Sequence, residues 1–283
     1  MRPIGSLAEV IGQYDAVLCD VWGVIHDGAT VYPGAAEALR GLRAHGVPVV
    51  LVSNVPRPST TMPQALARLD FPADAWDAIV TSGDVIRAEL SQRAPGPVHR
   101  LGRSTDPGLW DGLGLTFVDD PRRAGFVAIA GLRGRSDTPG AYSGVLKQAL
   151  ASDLELLCAN PDIQVRTGGV LTWCAGSVAQ EYAAMGGRVV QGGKPHAPIY
   201  QRARAVLDGV VGASVPQERI LAIGDGISTD LLGANRQGLD ALFIAGGMHG
   251  DALLDGAGVD LRLAARVVAE QGVTATYVMS QLA

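Results

Sequence analysis

Several classes of protein are excluded by what this sequence lacks. Three cysteines among 283 residues, odd in number and widely spaced, argue against a disulfide framework and favour a reducing compartment. No stretch reaches the ~18 consecutive apolar residues of a membrane span, so we expect no membrane partner. The first six residues lack the apolar core of a secretion signal, and a cytoplasmic protein is therefore expected.

Basic stripes and zinc motifs are lacking as well. The formal net charge is -5 and no basic stripe is present, so no nucleic-acid partner is expected. The five histidines form neither a His-x-x-x-His pair nor a cluster with cysteine, and zinc is not indicated. The chain does have a large apolar fraction, 47%, which is enough for one large or two medium-sized domains.

Four short apolar runs predict buried parallel strands. They cover residues 16–19, 47–52, 189–190 and 220–223. Short continuous runs without polar alternation are typical of strands that are covered on both faces. Helices are predicted at about residues 34–44, 198–207 and 230–236. Strands that alternate with helices indicate a doubly wound α/β domain.

The middle of the chain is interpreted as a second α/β unit inserted into the first. It has strand-like runs of its own, at residues 126–130, 155–158 and 169–173. We therefore predict a discontinuous core domain of residues 1–84 and 188–283 with an inserted domain at residues 85–187.

Polar residues follow each predicted strand of the first domain. Ligands of open parallel sheets bind at the carboxyl ends of the strands, so these residues define one candidate site. They are Asp20, Trp22, Ser53, Asn54, Lys194, Asp225 and Asp230. Carboxylates suit a hard divalent cation such as Mg²⁺, whereas the lysine, hydroxyl and amide suit phosphate oxygens. Pro195 is predicted to be the first residue of a helix whose N–H groups face the anion.

Four segments of the chain resemble, in order, the four motifs of the haloacid dehalogenase superfamily. They are Asp20-x-x-Gly-Val, Ser53-Asn54, Gly193-Lys194-Pro195 and Gly224-Asp225-x-x-x-Thr229-Asp230. The insert between the second and third motifs is similar to the C2 cap of class IIA, the branch that includes p-nitrophenyl phosphatases and sugar phosphatases. The resemblance implies a Rossmann-like core with an inserted α/β cap, and it leaves a homodimer as an open alternative.

The resemblance implies a nucleophile and a metal site. Asp20 is expected to attack phosphorus and to form an aspartyl-phosphate, which divides one difficult displacement into two easier ones. Asp20, Asp225 and the backbone carbonyl of Trp22 are expected to hold Mg²⁺. Asp230 is expected to lie behind these ligands or to reach the metal through a water.

The resemblance also implies a phosphate site. Ser53, Asn54 and Lys194 are expected to bind the transferring phosphoryl group, and Lys194 also balances the acids. Phosphoryl transfer depends mostly on positioning and charge neutralisation, which such a set supplies. The expected partner is a small phosphorylated metabolite, and the expected activity is a Mg²⁺-dependent phosphatase.

One position departs from the family pattern. The family carries a second aspartate two residues after the nucleophile, where it protonates the leaving oxygen and later activates water, but Trp22 stands there instead. An enzyme that favours acidic leaving groups is one interpretation, and a binding or regulatory protein with weak or no turnover is the other. His26 and Asp27 are candidates for a substitute acid or base, since histidine has a suitable ordinary pKa.

Structural alternatives stay open for most of these residues. Asp230 falls in a first helical turn, where it would stabilise the helix dipole. Ser53 and Asn54 could satisfy loop amides, and Lys194 could be a solvated surface residue. Asp162, in an Asn160-Pro161-Asp162 tripeptide that resembles one of the class IIA caps, could contact substrate or cap a turn.

Overall fold

Two parallel sheets organise the computed structural model, which describes residues 1–103, 106, 108–167, 170–255 and 258–283. The strands in chain order are β1 (Arg2–Pro3), β2 (Ala16–Cys19), β3 (Val49–Ser53), β4 (Ala78–Thr81), β5 (Val98–Leu101), β6 (Phe126–Ile129), β7 (Leu156–Cys158), β8 (Gln164–Thr167), β9 (Val170–Trp173), β10 (Val189–Gln191), β11 (Ile220–Gly224), β12 (Asp240–Ile244), β13 (Leu254–Asp255), β14 (Gly258–Val259) and β15 (Tyr277–Met279). The helices are α1 (Ala35–Ala44), α2 (Met62–Ala67), α3 (Ser82–Arg93), α4 (Ser143–Ala151), α5 (Ala175–Ala184), α6 (Ala197–Val211), α7 (Leu232–Arg236), α8 (Gly250–Leu253) and α9 (Leu261–Glu270). None of the helices in the described residues is both long and apolar enough to cross a membrane.

The larger sheet has seven parallel strands in the order β1-β15-β12-β11-β2-β3-β4. The doubly wound α/β core predicted from the sequence is therefore confirmed. In this order β2 has the next strand of the chain, β3, on one side and β11 on the other, which makes it the point where the strand order reverses. Ligand crevices of open α/β sheets lie at such a point.

Helices cover both faces of the larger sheet, as the sequence of β2 requires. Val17 and Cys19 pack in the layer of α1 and α2, whereas Ala16 and Leu18 pack in the layer of α6, α7 and α9. Successive side chains of a strand point to opposite faces. A strand that is apolar at every position is therefore buried only when helices lie on both sides.

The smaller sheet has four parallel strands in the order β10-β7-β6-β5. The predicted strand at residues 189–190, assigned to the core, belongs here: Val189 pairs with Leu156 of β7, and the assignment was wrong. The pattern of two apolar residues carries no information on which sheet they join, and α5 returns the chain beside β7. Apart from the placement of β10, the division of the domains at 84/85 and 187/188 stays a prediction.

The insert also carries an antiparallel hairpin of β8 and β9. Strands predicted at residues 126–130 and 155–158 correspond to β6 and β7, and the one at 169–173 corresponds to β9, with Gly169 outside the described residues. In the core, the predicted helix at residues 198–207 is part of α6. Its first turn holds Pro198 and not Pro195, which lies two residues before the helix, so that prediction was wrong.

Candidate active site

Three buried carboxylates meet at the carboxyl ends of β2 and β11. Asp20 follows β2 and its N–H donates to the Ile223 carbonyl of β11 at 2.8 Å, so the two strand ends lie side by side. Asp225 follows β11 directly, and Asp230 lies in the π-helical turn Ile227–Leu231 that precedes α7. One carboxylate oxygen from each of Asp20, Asp225 and Asp230 lies within 4.8 Å of the others.

Lys194 lies among these acids. Its Nζ contacts Asp20 Oδ1 at 2.6 Å and Asp230 Oδ1 at 2.8 Å, and the residue is 3% exposed. Burial lowers the pKa of Lys194, but Asp20 and Asp230 outweigh burial and raise this pKa above its ordinary value. The lysine is therefore a charged part of the site, and the alternative of a solvated surface lysine does not hold.

The site is deficient in positive charge. Burial and the nearby Asp230 raise the pKa of Asp20 well above its ordinary value, and Lys194 offsets only part of that shift. Burial and Asp230 likewise raise the pKa of Asp225 to about 7. Three carboxylates face one ammonium, and carboxylate oxygens are the ligands that a hard divalent cation takes, so the residues present fit Mg²⁺.

The backbone of Trp22 and Gly23 lies against this carboxylate cluster. Gly23 has φ +83°, and a Cβ there would overlap the Asp225 carboxylate, as would a Cβ on Gly247. No described residue donates a hydrogen bond to the Trp22 carbonyl. Met248 N–H donates to Asp225 Oδ2 at 2.6 Å, a contact that sequence reasoning missed, although the preceding Gly246-Gly247 pair was a signal of close approach.

Ser53 is the last residue of β3 and Asn54 follows it, on the side of β2 opposite to β11. Ser53 Oγ accepts a hydrogen bond from the Val55 N–H at 3.3 Å. The Asn54 side chain is more fully engaged: its Oδ1 accepts from the Lys194 N–H at 2.7 Å, and its Nδ2 donates to the Lys194 carbonyl and to Asp162 Oδ1. Both hydrogens of this amide are thus used, so the side chain holds Lys194 in place and has no donor left for a phosphate oxygen.

Asp162 brings the insert into contact with the site. Its carboxylate lies 2.7 Å from Asn54 Nδ2, and burial raises its pKa, although Asn54 partly offsets this effect. A Cβ on Gly193 would overlap both Asn54 Oδ1 and the Pro161 ring. Gly193 therefore allows close approach of the insert to the core.

Trp22 joins the core to the hairpin of the insert. Its Nε1–H donates to the Arg166 carbonyl in β8 at 2.9 Å, and its ring meets that of His26 edge-on at 5.2 Å between centroids. Arg166 also contacts Asp251 at 3.0 Å, so the hairpin is held at two points of the core. Nothing in the sequence signalled the role of Arg166, because its contact with Trp22 is made by a backbone carbonyl.

The two candidates for a substitute acid or base differ in their surroundings. Asp27 Oδ1 accepts hydrogen bonds from Ala29 N–H and Thr30 N–H, each at 2.8 Å, and these bonds lower its pKa. Asp27 therefore closes a turn and lies outside the carboxylate cluster. His26 is 5% exposed, its Nδ1 accepts from the Gly28 N–H at 3.0 Å, and burial lowers its pKa.

Two family models match the chain. Residues 17–115 match a model described as haloacid dehalogenase-like hydrolase, and residues 191–270 match one described as HAD-hydrolase-like. The first match contains the first two motifs, and the second match contains the other two. The region between the two models corresponds to most of the inserted unit.

Similar proteins extend the match to nearly the whole chain. The crystal structure of a haloacid dehalogenase-like hydrolase from Brucella suis 1330 is 37% identical, has a TM-score of 0.86, and the match covers 98% of this chain and 99% of that one. Chronophin from Rattus norvegicus is 28% identical over 261 residues, 86% of this chain and 80% of chronophin. Ribonucleotide monophosphatase NagD from Escherichia coli (strain K12) is 26% identical over 244 residues, 82% of this chain and 88% of NagD. On this evidence the chain belongs to the haloacid dehalogenase superfamily and is a hydrolase of its class IIA branch.

Proposed function

We propose that the protein is a Mg²⁺-dependent phosphatase that hydrolyses a phosphomonoester or an acyl phosphate of a small metabolite through an aspartyl-phosphate. The observation that carries the proposal is the 2.6 Å contact between Lys194 Nζ and Asp20 Oδ1, beside two further buried carboxylates. A nucleophile, a balancing cation and a dication site in one cleft are what phosphoryl transfer requires. The name of the relative NagD, a ribonucleotide monophosphatase, supports a phosphomonoester substrate.

The hydrogen bonds of Asp20 support Oδ2 as the attacking oxygen. Oδ1 accepts from Lys194 Nζ and from the Val21 N–H at 2.7 Å, which leaves Oδ2 for attack. In the first step Oδ2 bonds to phosphorus, and the bond from phosphorus to the leaving oxygen breaks with its electron pair on that oxygen. In the second step a water oxygen bonds to phosphorus, the bond to Oδ2 breaks, and inorganic phosphate and the free carboxylate result.

The phosphoryl group is bound by Lys194, by Ser53 and by the main-chain N–H of Asn54. Asp20, Asp225 and the Trp22 carbonyl would hold Mg²⁺, which would supply neutralisation of charge on the phosphoryl oxygens. Asp230 lies behind these groups and holds Lys194, since its Oδ1 contacts Lys194 Nζ at 2.8 Å. Its Oδ2 accepts from the Gly226 N–H at 3.1 Å.

The leaving oxygen has no acid beside it at residue 22. Of the two substitutes, Asp27 is engaged in its turn, whereas His26 accepts at Nδ1, so the neutral ring carries its proton on Nε2. A neutral imidazole with a lowered pKa is a poor proton donor at neutral pH. We therefore infer that substrates with acidic leaving groups, such as aryl and acyl phosphates, are hydrolysed best.

Trp22 also favours a second candidate function, a protein that binds a phosphorylated ligand and has little or no turnover. The two candidates are separated by incubating the purified protein with Mg²⁺ and either p-nitrophenyl phosphate or acetyl phosphate. The phosphatase proposal expects turnover by the native protein, loss of turnover in Asp20→Asn, and a phosphate adduct on Asp20 after acid quenching. Equal activity in Asp20→Asn would identify a contaminant, and ligand binding without turnover would establish the second candidate. A homodimer and a cytoplasmic location remain predictions, the first of which size-exclusion chromatography with light scattering tests.

A further inference from the structure

Arg57 differs from the other arginines of the described residues. It is partly buried, its side chain makes no hydrogen bond or ion pair, and its Nε has no acceptor although that atom is out of contact with solvent. Other partly buried arginines bond to carboxylates or to backbone carbonyls, as Arg43, Arg87, Arg93 and Arg219 do. Burial of a cation without a counter-charge is unfavourable, so this exception calls for a partner.

The location of Arg57 is the boundary between the core and the insert. It lies three residues after Asn54, at most about 11 Å from it along the chain. The Arg57 carbonyl accepts from Thr81 Oγ1 at 2.7 Å, which fixes the loop at the start of α3. The next residue, Pro58, faces the insert, since a Cβ on Gly108 would lie 3.2 Å from Pro58 Cγ. The guanidinium is therefore within reach of a small molecule whose phosphate lies beside Asn54.

A second guanidinium lies nearby. Arg103 contacts Asp106 Oδ1 through Nε at 2.9 Å and Nη2 at 2.7 Å, while the buried Oδ2 of Asp106 has no partner. After burial itself, Arg103 is the largest influence that lowers the pKa of Arg57, with a smaller contribution from Arg68; Asp106 opposes them. The charges that act on Arg57 are thus two further guanidiniums and one carboxylate, an excess of positive charge.

We propose that Arg57, with Arg103 beside it, binds a second anionic group of the substrate, a carboxylate or a second phosphate carried by the leaving group. This inference rests on the proposed function, because it names the class of substrate for the same site. The guanidinium plane presents paired N–H donors whose spacing matches a carboxylate or a phosphate. The competing explanation is that a water joins Arg57 Nε to the free oxygen of Asp106 and that no ligand is bound there.

Binding of phosphonates, which the enzyme cannot hydrolyse, tests the inference without turnover. The full-length protein with Mg²⁺ is titrated calorimetrically with 3- and 4-carboxyphenylphosphonate and with the uncharged carbamoyl analogues of each. Hydrogen bonds to charged groups lead us to expect at least one carboxyl compound to bind about 10- to 100-fold tighter than its carbamoyl analogue. Phenylene bisphosphonates in the same titration show whether a second phosphate is preferred to a carboxylate.

Variants of Arg57 complete the test. Arg57→Gln is expected to abolish the preference for the anionic compound, Arg57→Lys to retain part of it, and Arg123→Gln, at an exposed arginine of the insert, to keep it. Equal affinities of the native protein for the paired compounds, no binding of either, or an unchanged preference in Arg57→Gln would overturn the inference. Failure of the proposed function is measured separately, because it would appear as no turnover of phosphate esters, independently of the affinities for the phosphonates.

Discussion

The substitution Trp22→Asp introduces the acid that the family pattern has two residues after the nucleophile, and Trp22→Asn is its matched control without a proton to give. Both remove the hydrogen bond of Nε1–H to the Arg166 carbonyl, which contributes about 0.5–1.5 kcal/mol. Both also remove the ring that packs on His26. Any difference between the two variants therefore reports the acid and not the lost contacts.

The expected gain follows from the chemistry of the leaving oxygen. A positioned acid contributes roughly 10²–10⁴-fold to a proton transfer in the transition state, which is about 3–5 kcal/mol. Alkyl phosphates need this help most, because the alkoxide that leaves is strongly basic. The new carboxylate would join three acids that share one lysine, so we also expect Trp22→Asp to depend more strongly on Mg²⁺ than the native protein.

The assay is kcat/KM for a series of aryl and alkyl phosphates of increasing leaving-group pKa. For the native protein and Trp22→Asn we expect a steep decline along the series, and for Trp22→Asp a shallower one, with the largest gain on sugar phosphates. A flat series for the native protein would refute the reasoning. So would equal slopes for Trp22→Asp and Trp22→Asn, provided that circular dichroism shows both to be folded.

Three other predictions concern the metal, the thiols and the insert. The pKa of Asp225 is raised to about 7 in the metal-free fold, so protons compete with Mg²⁺ for this carboxylate below that pH. Calorimetry at pH 6, 7 and 8 is expected to show tighter binding of Mg²⁺ as the pH rises, and an affinity that does not change with pH would contradict this. Burial raises the pKa of the Cys158 and Cys174 thiols to about 12, so these thiols are expected to react slowly with a disulfide reagent at pH 8 in the native protein. In guanidinium chloride they are expected to react fully, and rapid reaction of the native protein would argue against their burial. Tyr182→Phe removes the hydroxyl that donates to the buried Leu154 carbonyl at 2.6 Å, and urea titration is expected to show a loss of about 1–3 kcal/mol in the free energy of unfolding. Arg123→Gln, at an exposed position of the insert, serves as the control and is expected to change this free energy little; an unchanged value for Tyr182→Phe would contradict the prediction.

The sequence predicted the larger sheet well because burial on both faces leaves a direct record. Residues 16–19 and 220–223 are apolar at every position, and both lie in strands that helices cover on two sides. The carboxyl ends of these strands then place Asp20 and Asp225 together, since neighbouring parallel strands end at the same edge. The pattern of apolar residues also located both ends of α1 and the start of α6 to within one residue. The end of α6 was predicted at residue 207, whereas the helix continues to Val211.

Long-range pairing was less accessible to sequence reasoning. Residues 189–190 have the composition of a core strand, yet they pair with β7 in the insert, because short apolar runs do not specify a neighbour. The side-chain partners of Asn54 were inaccessible for a related reason. An amide next to a phosphate site is chemically suited to a ligand, but in the fold its hydrogens are taken by the Lys194 carbonyl and by Asp162.

By itself, the sequence determined the kind of chemistry available to this protein, because residue types and their spacing fix which groups can act as nucleophile, cation and metal ligand. It also determined that residue 22, a tryptophan, cannot supply an acid. Only the tertiary structure decided which of these groups form ion pairs or hydrogen bonds with one another. The 2.6 Å contact of Lys194 with Asp20 and the Asn54–Asp162 contact across the two units join residues that are far apart in the sequence, so the local sequence does not encode them. The lack of a partner for the buried Nε of Arg57 likewise follows from the fold.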